Sequence, residues 1–416
     1  MIDTARALLL AALLSPIVAL SQGASSSGAA LQTPGTRVAA GGEVPQGCAR
    51  VGGSIAAGPA VSRPVPTFLP SQLEVRTPLE PTVFPSAGWN YLIYELHLRN
   101  FAGEPLELQG IEVLAEGDAT ALARFGAEQL PSLFFPRAGQ LPADEGNKSR
   151  QLAAGQGTVA YLCLAFDSGI TVPAKVRHRV VLKDAYAEGP VIGTRQSRLR
   201  TFAPPVAGPD WIAAGGPGNS SHHRVGLLVI GGNARISRRL AIDWRKVRQG
   251  ANFAGDALDV RSYHAYGEQV FAVADGIVLS AKDGLPDNVP RTSRGFATAV
   301  PVTMETIAGN AITLDLGDGQ FALYAHLQPG SVRVKEGDRV KRGQPLGRIG
   351  NSGDSRGPHV HFEVSDSPVL LAGEGLPYLI DRYDIRSLDG SLDRRANELP
   401  MLETLVDFRS ADMLPK

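Results

Sequence analysis

Between about residues 72 and 202 apolar and polar positions alternate in short runs, "NYLIYELHLRNF", "LELQGIEVLAEG", "GTVAYLCLAFD" and "KVRHRVVLKD", each closed by Gly, Pro or Asp. Side chains two apart on a strand share a face, so each run predicts a strand, and their spacing predicts an immunoglobulin-like β-sandwich. Residues 203–221, "APPVAGPDWIAAGGPGNSS", read as a Pro/Gly-rich linker. Beyond them, over 222–390, the strands shorten and glycines recur at the corners, in "VFAVADGIVLSAK", "ITLDLGDGQFALYAHLQPGSVRVKEGDRVKRGQPLGRIGNSG" and "PHVHFEV". Such corners let strands bend and change partners, which predicts a small, strongly coiled β-sheet or barrel. The expected fold class is all-β. Residues 282–301 are too long and too rich in Pro and Gly for a hairpin turn, so a rim or lid over a groove is expected there. Residues 391–416 read as a tail with a short helix.

The chain opens on an apolar run, Ala7 to Leu20, too short for a transmembrane helix and followed by small residues suited to cleavage. It reads as a signal peptide over 1–21, with a low-complexity linker over 22–71 and no transmembrane segment once the signal is removed. Export to the periplasm or beyond implies an oxidising compartment, in which Cys48 and Cys163 can pair as a disulfide between the N-terminal segment and the first domain. Lys plus Arg number 41 and Asp plus Glu 41, a net charge of zero. That balance argues against a nucleic-acid partner.

Of eight histidines, His97 and His178 lie inside sandwich strands with no acid or cysteine at ligand spacing and read as structural. The other six, His222, His223, His264, His326, His359 and His361, follow residue 220. In "HVHFEV" both imidazoles project from one face, with Val360 and Phe362 on the other. Alone, that pattern points more to a solvated polar face than to a metal site. In "FALYAHLQPG" His326 closes an apolar strand before a turn, and in "RRLAIDW" Asp243 lies between Ile242 and Trp244, either capping a turn or offering a ligand.

Taken in order, "AIDW", "YAHL", "VKEGDRVKRGQPLGRIGNSG" and "PHVHFEV" resemble the lysostaphin-type (LytM-like) zinc metallopeptidases, which cut peptide bonds in bacterial peptidoglycan and have the duplicated hybrid motif fold. The resemblance covers residues 223 to about 366 and not the sandwich. It implies that Zn2+ is held by Asp243 and His361, while His326 and His359 act on the attacking water and the oxyanion. Three protein ligands with an open fourth position are the usual catalytic arrangement, and general acid/base chemistry by histidine complements it.

The resemblance fails at one position. The family's first ligand is a histidine four residues before the aspartate, and Arg239 stands there, with no lone pair to offer a metal. If "HHRVGLLVIGGNARISRRLAIDW" is a hairpin turning at Gly232, His223 falls opposite Ala241, on the face of Arg239 and Asp243. A slip of one residue places His222 there instead. His264 is a further candidate, and all three are equally compatible with solvent-facing side chains. Three functions follow: a secreted zinc endopeptidase acting on peptidoglycan peptides; a catalytically degenerate relative that binds cell-wall peptide or activates an amidase; and a biotinyl- or lipoyl-type carrier. The carrier needs a lysine at its hairpin tip, and "NSGDSRGPH" has none. Retention of Asp243, His326, His359 and His361 together favours the enzyme.

Overall fold

The computed structural model describes residues 44–45, 47–52, 71–135, 150–183, 185–195, 199–291, 295–387 and 390–409. The expected signal peptide and most of the expected linker over 22–71 lie outside these. The described chain is almost wholly β, with Leu130–Leu133 its one α-helix among the described residues.

The described residues between 49 and 193 form two sheets around one apolar core. In the first, Ala49–Val51, Gly157–Asp167, Trp89–Asn100 and Leu73–Arg76 follow one another. The second runs Tyr186–Gly193, Lys175–Leu182, Leu106–Ala115 and Ala121–Gly126. Leu92, Tyr94, Leu96, Leu162 and Leu164 of one sheet pack with Ile111, Val113, Phe125, Val176 and Val180 of the other, which makes this a β-sandwich. Cys48 and Cys163 are bonded. Ala49 pairs with Leu164, so the bridge joins neighbouring strands of one sheet, unlike the inter-sheet disulfide of antibody domains.

Strand Trp89–Asn100 is buried on both faces through its middle. The even positions Leu92, Tyr94 and Leu96 fill the sandwich, whereas Tyr91 and Ile93, with Cys163 and Ala165 on the neighbouring strand, join a second core that contains Trp211, Trp244, Phe362 and Tyr383. The sandwich therefore docks on the rest of the chain through an apolar face.

That second part is built on a ten-stranded sheet with the order Arg339–Val340, Gly276–Lys282, Asn310–Asp315, Phe321–Leu327, Val360–Ser365, Ile242–Lys246, Gly208–Ala214, Leu405–Phe408, Tyr383–Arg386, Leu392–Arg395. Two expectations are corrected here. Residues 203–221 are not a linker, because Gly208–Ala214 pairs along Ile242–Lys246 and Leu405–Phe408 and buries Trp211. Nor are residues 391–416 a helical tail: among those described, Leu392–Arg395 and Leu405–Phe408 are sheet strands, and burial of Val406 and Phe408 outweighs the helical pattern. The segment 282–301 is anchored to the turn before His359, with Asn288 Nδ2 donating to Gly353 O (2.7 Å) and Ser355 O (2.9 Å).

His178 is structural, as expected. It is fully buried in the sandwich, 2.8 Å from the Tyr94 hydroxyl, and burial lowers its pKa from 6.5 to about 3. Between those values the unfolded chain binds a proton that the folded chain refuses, so stability falls as pH drops from 6.5 toward 3. His178→Gln, which keeps a polar partner for Tyr94, is expected to flatten the decline of Tm with acid over this window. An unchanged slope in thermal melts between pH 7 and pH 4 would contradict it.

Candidate metal centre

Four neighbouring strands set out the site as a row across the sheet. Asp243 pairs with Ala214 on one side and with His361 on the other, and His361 pairs with Ala325 of the next strand. Residues in register across a sheet point to one face. Asp243 and His361 are thus brought together by pairing alone, whereas His326, the residue after Ala325, would face the other side of a regular strand. His326 itself has a backbone φ of 66°, a left-handed conformation uncommon for a residue with a Cβ. It is held by His326 N donating to Ala308 O (2.9 Å) and Gly350 N donating to His326 O (3.0 Å).

Asp243 is the focus. Its Oδ1 lies 3.0 Å from His361 Nδ1, 3.3 Å from His359 Nε2 and 3.3 Å from His223 Nε2. Its Oδ2 is 3.8 Å from His222 Nε2 and 3.5 Å from Arg245 Nη2. The ring centroids of His326 and His359 are 4.9 Å apart. His223, Asp243, His326, His359 and His361 are all buried, and the His222 side chain is 62% exposed.

Burial opposes ionisation of Asp243, but the imidazoles around it, His359 and His223 foremost, outweigh that and hold its carboxyl well below the usual range. Burial likewise works against a charged His361, yet its hydrogen bonds to Asp243 and Glu363 prevail and raise it to about 9. His326 is driven the other way, first by burial and then by His359 and His361, so it stays neutral. His223 is lowered by burial in spite of Asp243.

The donor set fits a metal ion. A ligand imidazole needs its other nitrogen fixed by an acceptor, which sets the tautomer. His223 Nδ1 lies 2.8 Å from Gly215 O, leaving Nε2 toward Asp243. His361 Nε2 lies 3.1 Å from Glu363 Oε2, leaving Nδ1 toward Asp243. The available atoms of His222, His223 and Asp243 lie within 4.8 Å of one another. His326 and His359, like His223, have Nδ1 held by a carbonyl, Ser352 O (2.9 Å) and Gly357 O (2.7 Å), which leaves Nε2 as the atom available for chemistry.

His223 reaches Asp243 by a route other than the expected hairpin. The hairpin exists, but only as Leu228–Ile230 against Asn233–Arg235, in a register that turns at Gly231–Gly232. Residues 236–241 turn instead of continuing the strand, with Arg239 N donating to Ile236 O (3.2 Å). His223 arrives from the unexpected strand Gly208–Ala214, whose end at Ala214 faces Asp243. The chain then turns at Gly215, at φ 60°, where a Cβ would sit 3.0 Å from the rings of both His222 and His223. His264 is not brought in: its charged neighbours are Arg248, Asp210 and Lys246. Glu363 was missed, although it lies two residues after His361 on the same strand face, a spacing legible in "HFE".

Arg239 points away from Asp243. Its guanidinium donates to both oxygens of Glu95 (3.1 and 2.8 Å), to Glu374 Oε2 (2.7 Å) and to Gly375 O (3.3 Å), all out of water.

Residues 257–370 match Peptidase family M23, and the chain carries an M23 (LytM-type) domain there. The match begins after Asp243 and ends after His361. Among similar proteins, peptidoglycan DD-endopeptidase ShyA of Vibrio cholerae is 34% identical over 95 residues, 22% of this chain and 22% of its own. Stage II sporulation protein Q of Bacillus subtilis is 30% identical over 103 residues, 24% of this chain and 35% of its own. The chain therefore spans about a fifth to a third of the length of these relatives. The catalytic domain of lysostaphin from Staphylococcus simulans aligns with 33% of this chain and 71% of that chain, at 26% identity and a TM-score of 0.19.

Removing one member of a buried, hydrogen-bonded ion group leaves the others uncompensated and costs about 3–5 kcal/mol. Arg239→Met should lower the free energy of urea unfolding by that amount. A loss below about 1 kcal/mol, the scale of a surface pair, would show that Glu95 and Glu374 do not depend on it.

Proposed function

We propose that this chain is an exported zinc endopeptidase that hydrolyses peptide bonds of bacterial peptidoglycan, with His223, Asp243 and His361 as metal ligands and His326 and His359 as the acid/base pair. The observation that carries this reading is the convergence of His223 Nε2 and His361 Nδ1 on Asp243 Oδ1, at 3.3 and 3.0 Å, with the other ring nitrogen of each anchored, to Gly215 O and to Glu363 Oε2. His223 thereby supplies what Arg239 cannot. The M23 match supports a peptidase, and the peptidoglycan endopeptidase among the similar proteins supports a cell-wall peptide as substrate. The disulfide fits an oxidising compartment.

A zinc ion in such a site supplies Lewis acidity toward the scissile carbonyl and acidifies a water molecule. The chain's own groups do the rest. His326, neutral and with Nε2 unprotonated when Nδ1 donates to Ser352 O, accepts a proton at Nε2. His359, with Nδ1 donating to Gly357 O, holds or returns a proton at Nε2. Positioned histidines of this kind contribute about 10²–10⁴-fold to a rate. Glu363 and the Gly215 carbonyl keep the two ligand rings from turning.

The competing reading, a degenerate protein that binds cell-wall peptide or activates an amidase, rests on Arg239. Metal analysis separates the two. Purified protein dialysed against trace zinc should retain stoichiometric metal, and retention of none would end the enzyme reading. His223→Ala and His361→Ala should lose the metal, while His264→Ala keeps it. His359→Ala should keep metal and lose turnover of peptidoglycan fragments by about 10²–10⁴-fold. Full retention of zinc by His223→Ala would remove His223 from the ligand set.

A further inference from the structure

The segment that delivers His223 is fastened mainly to the sandwich. Arg224, the next residue, is fully buried, and its guanidinium forms an ion pair with Glu95. It also donates to Tyr94 O (2.8 Å) and Leu162 O (3.3 Å) and lies 4.9 Å from the centre of the Tyr161 ring. Four residues before His223, Asn219 donates to Gly47 O (3.1 Å) and to Tyr161 O (2.9 Å). Gly47 precedes Cys48, whose disulfide to Cys163 ties it to the strand that carries Tyr161 and Leu162. On the peptidase side the same loop is held by Ser221 Oγ and His223 Nδ1, both against Gly215 O.

Glu95 thus holds two residues at once: Arg239, at the position where the related enzymes have their first ligand, and Arg224, beside the histidine that takes over. We infer that the sandwich domain is a structural part of the metal centre, with Glu95 and Asn219 as positioning residues that hold His223 against Asp243. This rests on the assignment of His223 as a ligand. Neither residue touches the ion. Each acts through the backbone of residues 219–224, fixing where the imidazole stands before metal arrives, as outer partners of metal ligands do.

The test uses the full chain and measures zinc affinity by competition with a chromophoric chelator, together with the visible spectrum of the Co2+-substituted protein. Glu95→Gln, equal in shape but without charge, and Asn219→Ala, which removes the two hydrogen bonds to the sandwich, should each weaken zinc binding by about 10–100-fold and alter the cobalt spectrum. Glu112→Gln serves as the control, because Glu112 pairs with Arg124 and Arg179 within the sandwich, away from the loop. It should lower Tm and leave zinc affinity at the wild-type value. Wild-type affinity in both Glu95→Gln and Asn219→Ala would overturn the inference, as would an equal loss in Glu112→Gln, which would make the effect general destabilisation. Should Glu95→Gln fail to fold, Asn219→Ala, which leaves the buried charges paired, decides alone. Failure of the wild-type protein itself to bind zinc strikes the enzyme reading and appears before any variant is made.

Discussion

The placement of one buried carboxylate, Glu95, governs how the two parts of this chain meet. It is 1% exposed and shared by two guanidiniums, Arg224 and Arg239, with Glu374 closing the group on the far side of Arg239. Ions taken out of water are tolerated only when each finds partners, and an incomplete set is more costly than none. The group therefore works as an all-or-nothing register pin. Around it the contact is apolar, through Tyr91, Ile93 and Ala165 of the sandwich. Apolar area supplies attraction without direction, and the ion group supplies the direction. A docking geometry fixed in both ways leaves little room for the sandwich to swing as a free module.

A second layer of order comes from sheet pairing. Because Ala214, Asp243, His361 and Ala325 stand in register across four strands, the functional groups need no long-range adjustment to meet. What remains is fine aiming, and the local deviations from regular sheet do it. His326 is turned by its positive φ, and His223 is brought in by a turn at Gly215, where a positive φ and the 3.0 Å approach of both imidazoles favour glycine. The imidazoles then polarise one another through Asp243. Burial opposes a charge on both His326 and His361, yet His361 is raised to about 9 while His326 stays neutral, because His361 has two carboxylates in hydrogen-bond reach.

Much of this site is legible in the residues themselves. The i, i+2 spacing of "HVHFEV" places His359 and His361 on one face, and the turn after "YAHL" marks His326. Asp243 between Ile242 and Trp244 is ambiguous alone, and only the resemblance to the lysostaphin-type peptidases singles it out. Less visible is anything that depends on contacts distant in sequence. The partner of Arg239 lies 144 residues away, and no local pattern connects them. The strand Gly208–Ala214 is hidden in a stretch whose Pro and Gly content reads as a linker; its "DWIAA" core becomes a strand because two neighbours accept it and Trp211 is buried there. His223 could be named from the double histidine, yet the hairpin that suggested it stops short at Leu228. The true path runs through the misread linker. Where the pairing partner is adjacent in sequence the pattern suffices, and where tertiary burial overrides local composition it does not.

Position 239 exposes a choice that chemistry makes exclusive. A metal ligand there must be a neutral lone-pair donor aimed at Asp243, whereas a residue that satisfies Glu95 and Glu374 must be a permanent cation aimed away from it. Arginine meets the second demand almost uniquely, since its planar fork donates to both oxygens of one carboxylate and still reaches another. Lysine would offer one point charge, and histidine has only two N–H donors, too few for both oxygens of Glu95 together with Glu374 and Gly375 O. Docking of the sandwich and ligation from position 239 are therefore incompatible in one molecule, and a ligand must enter from elsewhere if the centre is to hold metal. The loop before Arg224 is the place from which it can enter, because the guanidinium that completes the charge on Glu95 belongs to the residue next to His223.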